Sequence, residues 1–237
     1  MSENAENKPL IKDKFDFSSV IAVAIHDMKN SLSLLMQSIE QLSDTIPQNS
    51  EDARNKVNSV HYEASRMNTT LVQILSLYRS EIDALPINID ECFINDLLEE
   101  VVASNLIYTK QKDLTINVQV DEDLNWYLDK ELSYLLIHDV LINAIRYGGN
   151  YISLSAYVED EQLHIIVKDD GNGYPKEMLD MSKVNLDNFC ISEGRTGLGL
   201  YFARLIAQTH RNADKRGFIK LANDDSTGGS IFELVLP

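Results

Sequence analysis

Cysteine is scarce in this sequence, and long apolar runs are absent from it. The two cysteines, Cys92 and Cys190, lack the spacing of metal ligands, which indicates free thiols in a reducing compartment. No stretch approaches the roughly eighteen apolar residues that a membrane span needs. The polar start, MSENAENKPLIKDKFD, has no apolar signal core. These absences favour a cytoplasmic protein and argue against a membrane partner.

Basic residues are also few: 21 lysines and arginines stand against 37 aspartates and glutamates, so the formal net charge is −16. This charge repels the phosphates of nucleic acids and of anionic lipids, so neither is an expected partner. A nucleotide can still bind to an acidic chain through local amides, a few cations and a metal ion. The 237 residues are 44% hydrophobic and 24% charged, which is typical of one or two globular domains.

The segment 20–42 carries the strongest pattern, with apolar residues at alternating steps of four and three. This spacing predicts a helix that buries one seam against partner helices. The seam residues are Ile21, Ile25, Met28, Leu32, Leu35, Ile39 and Leu42. A polar turn at 43–52 and a second apolar stripe at 57–78 complete a predicted helical hairpin.

One such hairpin buries little apolar surface, because each helix offers a single stripe. Two copies side by side would close the seam as a four-helix bundle, so we predict a homodimer. The alternative is that both stripes pack on the second half of the same chain.

The chain changes character at Leu85-Pro86, where mixed helices and strands begin. We therefore predict a lead-in at 1–16, the hairpin at 17–84 and a second domain at 85–237. Strands interleaved with helices indicate one mixed sheet with helices on one face, so the fold class is α+β.

His26, Asp27 and Asn30 lie together on the flank of the first predicted helix. Residues four apart share a helical face, so the Asn30 amide lies one turn from the imidazole, and Asp27 is the next residue after it. This group is a candidate for phosphate chemistry. A lone histidine on an amphipathic helix is more often an ordinary surface residue, and the segment alone favours that reading.

Three stretches of the second half suggest a nucleotide site. Asp139, Asn143 and Arg146 share one helix face, with oxygen donors for Mg²⁺ and a guanidinium for phosphate. The segment DDGNGYP (169–175) follows a strand, and RTGLGLYFARLI begins at Arg195 with glycines that open a helix towards phosphates. Each stretch alone is weak evidence.

The order of these motifs resembles that of the sensor histidine kinases of two-component signalling, over residues 17 to 237. HDMKN matches the phosphoacceptor box of that family, and NAIRYG matches its asparagine box. DDGNG, TGLGL and TGGSIFELVLP match its glycine boxes. The resemblance implies a dimeric phosphotransfer hairpin followed by an α/β sandwich of the GHKL (Bergerat) ATPase type.

ATP and Mg²⁺ are the ligands that this resemblance implies. Asn143 would hold Mg²⁺, with Asp139 beside it, and Asp170 would hold the adenine amino group, aided through water by Ser230. The other expected nucleotide-binding residues are Arg146, Tyr147, Gly173, Arg195, Gly197, Leu198 and Gly199. Residues 176–196 would form a lid over ATP, with Phe189 as the candidate for its hydrophobic anchor.

The resemblance also implies the chemistry of the hairpin. His26 would attack the γ-phosphate, and Asp27 would accept its other N–H and fix the tautomer. The phosphoryl group would pass to an Asp of a response regulator receiver domain. Asn30 would orient water for dephosphorylation of that regulator.

Two departures from the family pattern leave other functions open. Asp139 stands where the family usually has Asn, which allows a GHKL-type ATPase whose hairpin is only a dimer clamp. Arg195 stands where the family usually has Gly. A phosphotransfer or adaptor protein that no longer binds ATP is a further alternative. Because no sensory segment is evident, we expect the input to come from a separate sensor protein or from the dimer itself.

Overall fold

The structure is a computed structural model of the chain, and it describes residues 17–47, 50–82, 87–106, 109, 114–181 and 198–237. The side chains of residues 17–26 and 75–82 lie outside that description. So do the expected lead-in, the Leu85-Pro86 boundary, and residues 182–196 of the predicted lid, which include its anchor Phe189. No helix of the described ranges combines the length and apolarity needed to cross a bilayer.

The predicted hairpin consists of α1 (Phe17–Thr45) and α2 (Glu51–Ile82), which pack against each other. Leu32, Ile39 and Ala64 are buried between the two helices. The residues packed around them are Met36, Val57 and Leu71. The chain reverses at Pro47, whose carbonyl accepts from the amide of Ser50 at 3.0 Å.

In this hairpin, the predicted apolar seam of α1 divides into two columns of residues. The inner column packs against α2, and the outer column is exposed. Leu32 and Ile39 face α2, whereas Met28, Leu35 and Leu42 are 52%, 48% and 52% exposed. Exposed apolar residues on α2 also recur every seven residues, and they are Val60, Met67 and Ile74. Although α2 contacts α6 (Leu198–Thr209) of the second half, these two columns stay open to solvent.

A five-stranded mixed sheet forms the centre of the second half. Its strands, in order across the sheet, are β2 (Thr115–Gln119), β4 (Tyr151–Glu159), β5 (Gln162–Asp169), β9 (Ser230–Leu236) and β8 (Phe218–Asn223). β2 and β4 are parallel and the other neighbours are antiparallel. Two short antiparallel pairs lie outside this sheet, β1 (Asp90–Phe93) with β3 (Asn125–Leu128) and β6 (Arg211–Asn212) with β7 (Lys215–Arg216).

Helices cover one face of the sheet. Side chains alternate along each strand, so every second residue of a strand points towards these helices. Leu163, Ile165 and Val167 of β5 enter the core with residues of α3 (Ile94–Ala103), α4 (Lys130–Tyr147) and α6. A further short helix, α5 (Lys176–Met181), follows the loop after β5. The prediction of one mixed sheet with helices on one face is confirmed.

A buried histidine joins the ends of two of these helices. The amide of Asp129 donates to Nε2 of His210 at 3.0 Å, and Nδ1 of His210 donates to the Ile206 carbonyl at 2.9 Å. The Asp129 carboxylate caps α4 through Leu132 N at 2.9 Å. Because one ring nitrogen must accept, this arrangement needs the neutral imidazole. Burial lowers the pKa of His210 accordingly.

This burial predicts a pH dependence of stability. Below the ordinary histidine pKa of about 6.5, the unfolded chain binds a proton at His210 that the folded chain does not. The free energy of unfolding therefore falls as pH is lowered from 7.5 to 5.5. We expect His210→Gln to be less stable at pH 7.5 but to show a shallower pH slope in urea unfolding. Burial also lowers the pKa of His138. Because His138 is present in both the wild type and the variant, its contribution to the pH slope cancels in the comparison. Equal slopes would contradict the prediction.

Candidate functional site

The C-terminal half of α4 carries the polar residues that we predicted from the sequence to bind Mg²⁺ and phosphate. Asp139 is half-buried, and Asn143 and Arg146 are exposed at successive turns of the same face. The guanidinium carbon of Arg146 lies 5.1 Å from the centroid of the Tyr147 ring, which is 60% exposed. The helix therefore ends in a cationic and aromatic surface beside a carboxylate and an amide.

A buried carboxylate lies at the end of β5, close to the end of α4. Oδ1 of Asp169 accepts from the amides of Gly171 at 2.8 Å and Ser230 at 3.3 Å. The Ser230 hydroxyl donates to Oδ2 of the same carboxylate. Asp169 and Ser230 are 5% and 9% exposed. This pair joins the end of β5 to the start of β9, its neighbour in the sheet.

We expected Ser230 to act through water together with Asp170, but the structure places the Ser230 hydroxyl on Asp169 instead. Asp170 is exposed, and its Oδ1 accepts from the amide of Tyr151 at 2.9 Å. The physical reason is the alternation of the strand. Asp169 continues the helix-facing series of Leu163 and Val167, so the next residue points away. That parity, together with the D-x-G-x-G spacing counted from Asp169, is the signal in the sequence that identifies the buried carboxylate.

Two glycines hold the loops around Asp169 in close contact. Gly173 has a φ of +72°, and a Cβ there would lie 2.6 Å from the Gly228 carbonyl oxygen. A Cβ on Gly229 would lie 1.8 Å from the Asp169 carbonyl oxygen. The structure thus gives Gly173 a packing and conformational role, whereas its expected contact with a nucleotide stays a prediction. Sequence reasoning did not select Gly229.

Tyr174 is a further polar residue of this region that sequence reasoning missed. Its amide donates to Oδ1 of Asn223 at 2.7 Å, and Nδ2 of Asn223 donates to its carbonyl at 3.0 Å. Burial, with a smaller contribution from nearby Asp169, raises the pKa of Tyr174 to about 12, while a hydrogen-bonding contact with Ser230 opposes this. In the sequence, the signal for Tyr174 is an aromatic residue directly after the second glycine of DDGNG.

The structure describes only some of the remaining residues that we expected at the site. Leu198 and Gly199 are half-buried in the first turn of α6. Arg195 and Gly197 lie outside the described residues. On α1, the side chains of Asp27 and Asn30 are exposed, and the backbone of His26 is helical, but its side chain lies outside the description. The proposed roles of these residues therefore stay predictions.

Comparison with known proteins places this geometry in a family. Residues 128–237 match the family described as histidine kinase-, DNA gyrase B- and HSP90-like ATPase. Sensor histidine kinase RppB of Synechocystis sp. is 23% identical over 240 residues, which cover 97% of this chain and 51% of that protein. Sensor histidine kinase SpaK of Bacillus subtilis is 24% identical, with 89% and 46% covered. The chain thus spans about half the length of these relatives.

Solved structures share the fold. Histidine kinase AdeS of Acinetobacter baumannii aligns with a TM-score of 0.59 at 20% identity, over 89% of this chain and 96% of that one. Full-length ShkA in complex with AMPPNP aligns with a TM-score of 0.63 at 17% identity, over 93% and 46%. The chain is therefore similar to histidine kinases over most of its length, and its residues 128–237 match the ATPase family of the GHKL type.

Proposed function

We propose that this chain is a histidine kinase that transfers the γ-phosphoryl group of ATP to His26 and then to an aspartate of a response regulator receiver domain. The observation that carries the proposal is the buried Asp169–Ser230 pair beside the end of α4. That pair offers a nucleobase site close to the polar face of α4. The first helix of the same chain contains HDMKN, the stretch that carries His26.

Among the described residues, three donors reach the Asp169 carboxylate, which leaves one acceptor position for a ligand. Each carboxylate oxygen can accept about two hydrogen bonds. Two backbone amides donate to Oδ1, and the Ser230 hydroxyl donates to Oδ2. The remaining position on Oδ2 suits an N–H of the exocyclic amine of adenine. We therefore assign the hydrogen bond with the adenine amino group to Asp169. Asp170 keeps its hydrogen bond with the backbone amide of Tyr151.

The face of α4 suits the triphosphate end of ATP. The Asn143 amide oxygen and the Asp139 carboxylate are hard donors of the kind that Mg²⁺ prefers, and this ion usually keeps several waters and bridges to substrate phosphates. Bound Mg²⁺ would neutralise charge on the phosphates. Arg146 would contact phosphate oxygens, and Tyr147 would line the base.

The hairpin would supply the nucleophile. The lone pair of a neutral His26 nitrogen forms the N–P bond while the bond to the bridging oxygen of ADP breaks. Asp27 accepts the other ring N–H and holds the tautomer. The phosphoryl group then moves from the imidazole to the regulator's aspartate. Asn30, exposed one turn from His26, would orient the water that later hydrolyses the regulator's phosphoaspartate.

A homodimer is part of this proposal. The outer columns of α1 and α2 expose apolar side chains every seven residues, at fractions from 40% to 57%. Burying one such side chain fully contributes about 1.5–3 kcal/mol. A second copy supplies the matching columns and completes a four-helix bundle. Because ATP and receiver domains are found in the cytoplasm, we expect the chain to act there.

The phosphoacceptor is tested by incubating the chain with γ-labelled ATP and Mg²⁺. We expect acid-labile label on the wild type and its loss in His26→Gln, because only the imidazole provides the attacking lone pair. The control His61→Gln removes a histidine of α2 and should keep the label.

Label that persists in His26→Gln would contradict the assignment. Free phosphate without labelled protein would instead support an ATPase, a reading that the half-buried Asp139 on the phosphate-facing helix keeps open. Absence of nucleotide binding would support the adaptor alternative.

The adenine anchor is tested by comparing Asp169→Asn with Asp170→Asn. A hydrogen bond to a charged group contributes about 1.5–3 kcal/mol, so we expect Asp169→Asn to weaken Mg-ATP binding roughly tenfold to a hundredfold. Asp170→Asn, on an exposed carboxylate, should change the affinity by less than about threefold. Isothermal titration calorimetry gives both affinities, and thermal unfolding verifies that each variant is folded. A larger loss in Asp170→Asn would contradict the assignment.

A further inference from the structure

Asn223, the last residue of β8, clamps the loop that follows β5. Its Oδ1 accepts from the amide of Tyr174 at 2.7 Å, and its Nδ2 donates to the carbonyl of the same residue at 3.0 Å. One carboxamide thus engages both backbone polar groups of Tyr174. Asn223 is also paired across the sheet with Ser230, so the clamp lies beside the buried Asp169–Ser230 pair.

The turn that follows Asn223 is itself braced on β5. The Asp224 carboxylate forms an ion pair with Lys168 of β5, and its Oδ1 accepts from the amide of Ser226 at 2.8 Å. Across the turn, the Gly228 amide donates to the Asp224 carbonyl at 2.7 Å. The clamp therefore starts from a turn that is tied to the same strand whose end it helps to hold.

The clamped loop holds the Asp169 carboxylate and packs on the end of α4. The amide of Gly171 donates to Oδ1 of Asp169 at 2.8 Å. A Cβ on Gly171 would lie 2.8 Å from the Tyr147 carbonyl oxygen, so the loop backbone rests directly on the last turn of α4. The loop therefore sets both the direction of the carboxylate and its place beside the polar face of α4.

We propose that Asn223 is a positioning residue for the nucleobase, which orders the loop 170–175 so that Asp169 is aimed at the exocyclic amine before ATP binds. This inference rests on the proposed ATP site, and Asn223 acts on it through the loop backbone. Binding then carries little cost for ordering the loop. Without the clamp the ordered loop is only a fraction of the population, and the apparent affinity falls by that fraction.

The test compares ATP with purine riboside triphosphate, in which hydrogen replaces the amino group, each titrated with Mg²⁺ into the full chain. In the wild type we expect the second ligand to bind about tenfold to a hundredfold more weakly, which is the contribution of a hydrogen bond to a charged group. In Asn223→Ala we expect this ratio to be smaller by about threefold or more, because a loose loop no longer aims Asp169 at the amine. A merely structural loss would weaken both ligands equally and keep the ratio.

The clamp itself is tested without nucleotide, by amide hydrogen exchange followed by NMR. We expect the Tyr174 amide to exchange roughly fivefold to a hundredfold faster in Asn223→Ala, because two ordinary hydrogen bonds are lost. Circular dichroism verifies that the variant is folded. The matched control is Asn212→Ala, which removes an exposed carboxamide of β6. It should keep both the exchange rate of Tyr174 and the nucleotide ratio.

The outcomes distinguish the possible failures. An unchanged nucleotide ratio in Asn223→Ala overturns the positioning role while leaving the ATP site intact, even if the Tyr174 amide exchanges faster. An unchanged exchange rate of Tyr174 overturns the clamp. If the wild type binds neither nucleotide, or binds both alike, the adenine contact of Asp169 in the proposed function fails, and this inference fails with it.

Discussion

The proposed nucleotide site depends on one buried interaction, the carboxylate of Asp169 held by the Ser230 hydroxyl and two backbone amides. A buried carboxylate is costly unless donors surround it. Its donors come from the loop after β5 and from the start of β9, so the cost is offset only when these segments meet. Gly229 permits that meeting, since any side chain there would collide with the Asp169 carbonyl. The fold and the binding chemistry thus share one constraint.

The two halves of the chain satisfy different physical demands. The second half buries a continuous core between its sheet and three helices, and the polar residues of the candidate site lie where strands and α4 end. The hairpin buries a few side chains internally and keeps an apolar column exposed on each helix. One half therefore has a closed apolar core. The other has open apolar surface, which suits association with a second hairpin.

Local periodicity predicted the helices and the sheet well, because each pattern repeats over many residues. The site was harder to predict, because it depends on single positions. A strand of alternating side chains makes Asp169 and Asp170 opposite in direction, so an error of one residue exchanges a buried acceptor for an exposed one. The seam of α1 shows the same limit: sequence identifies apolar positions, but it does not say that Leu32 faces inward and Leu35 outward. Tyr174 lacks any repeating pattern, and its backbone position depends on the distant Asn223.

The most direct test of this account is a crystal structure of the chain with Mg²⁺ and AMPPNP. We expect the exocyclic amine of the base within about 3 Å of Oδ2 of Asp169, which is the range of an N–H···O hydrogen bond. The phosphates should extend towards the exposed face of α4. A base whose amine contacts Asp170, or a nucleotide bound away from the ends of β5 and β9, would contradict the account.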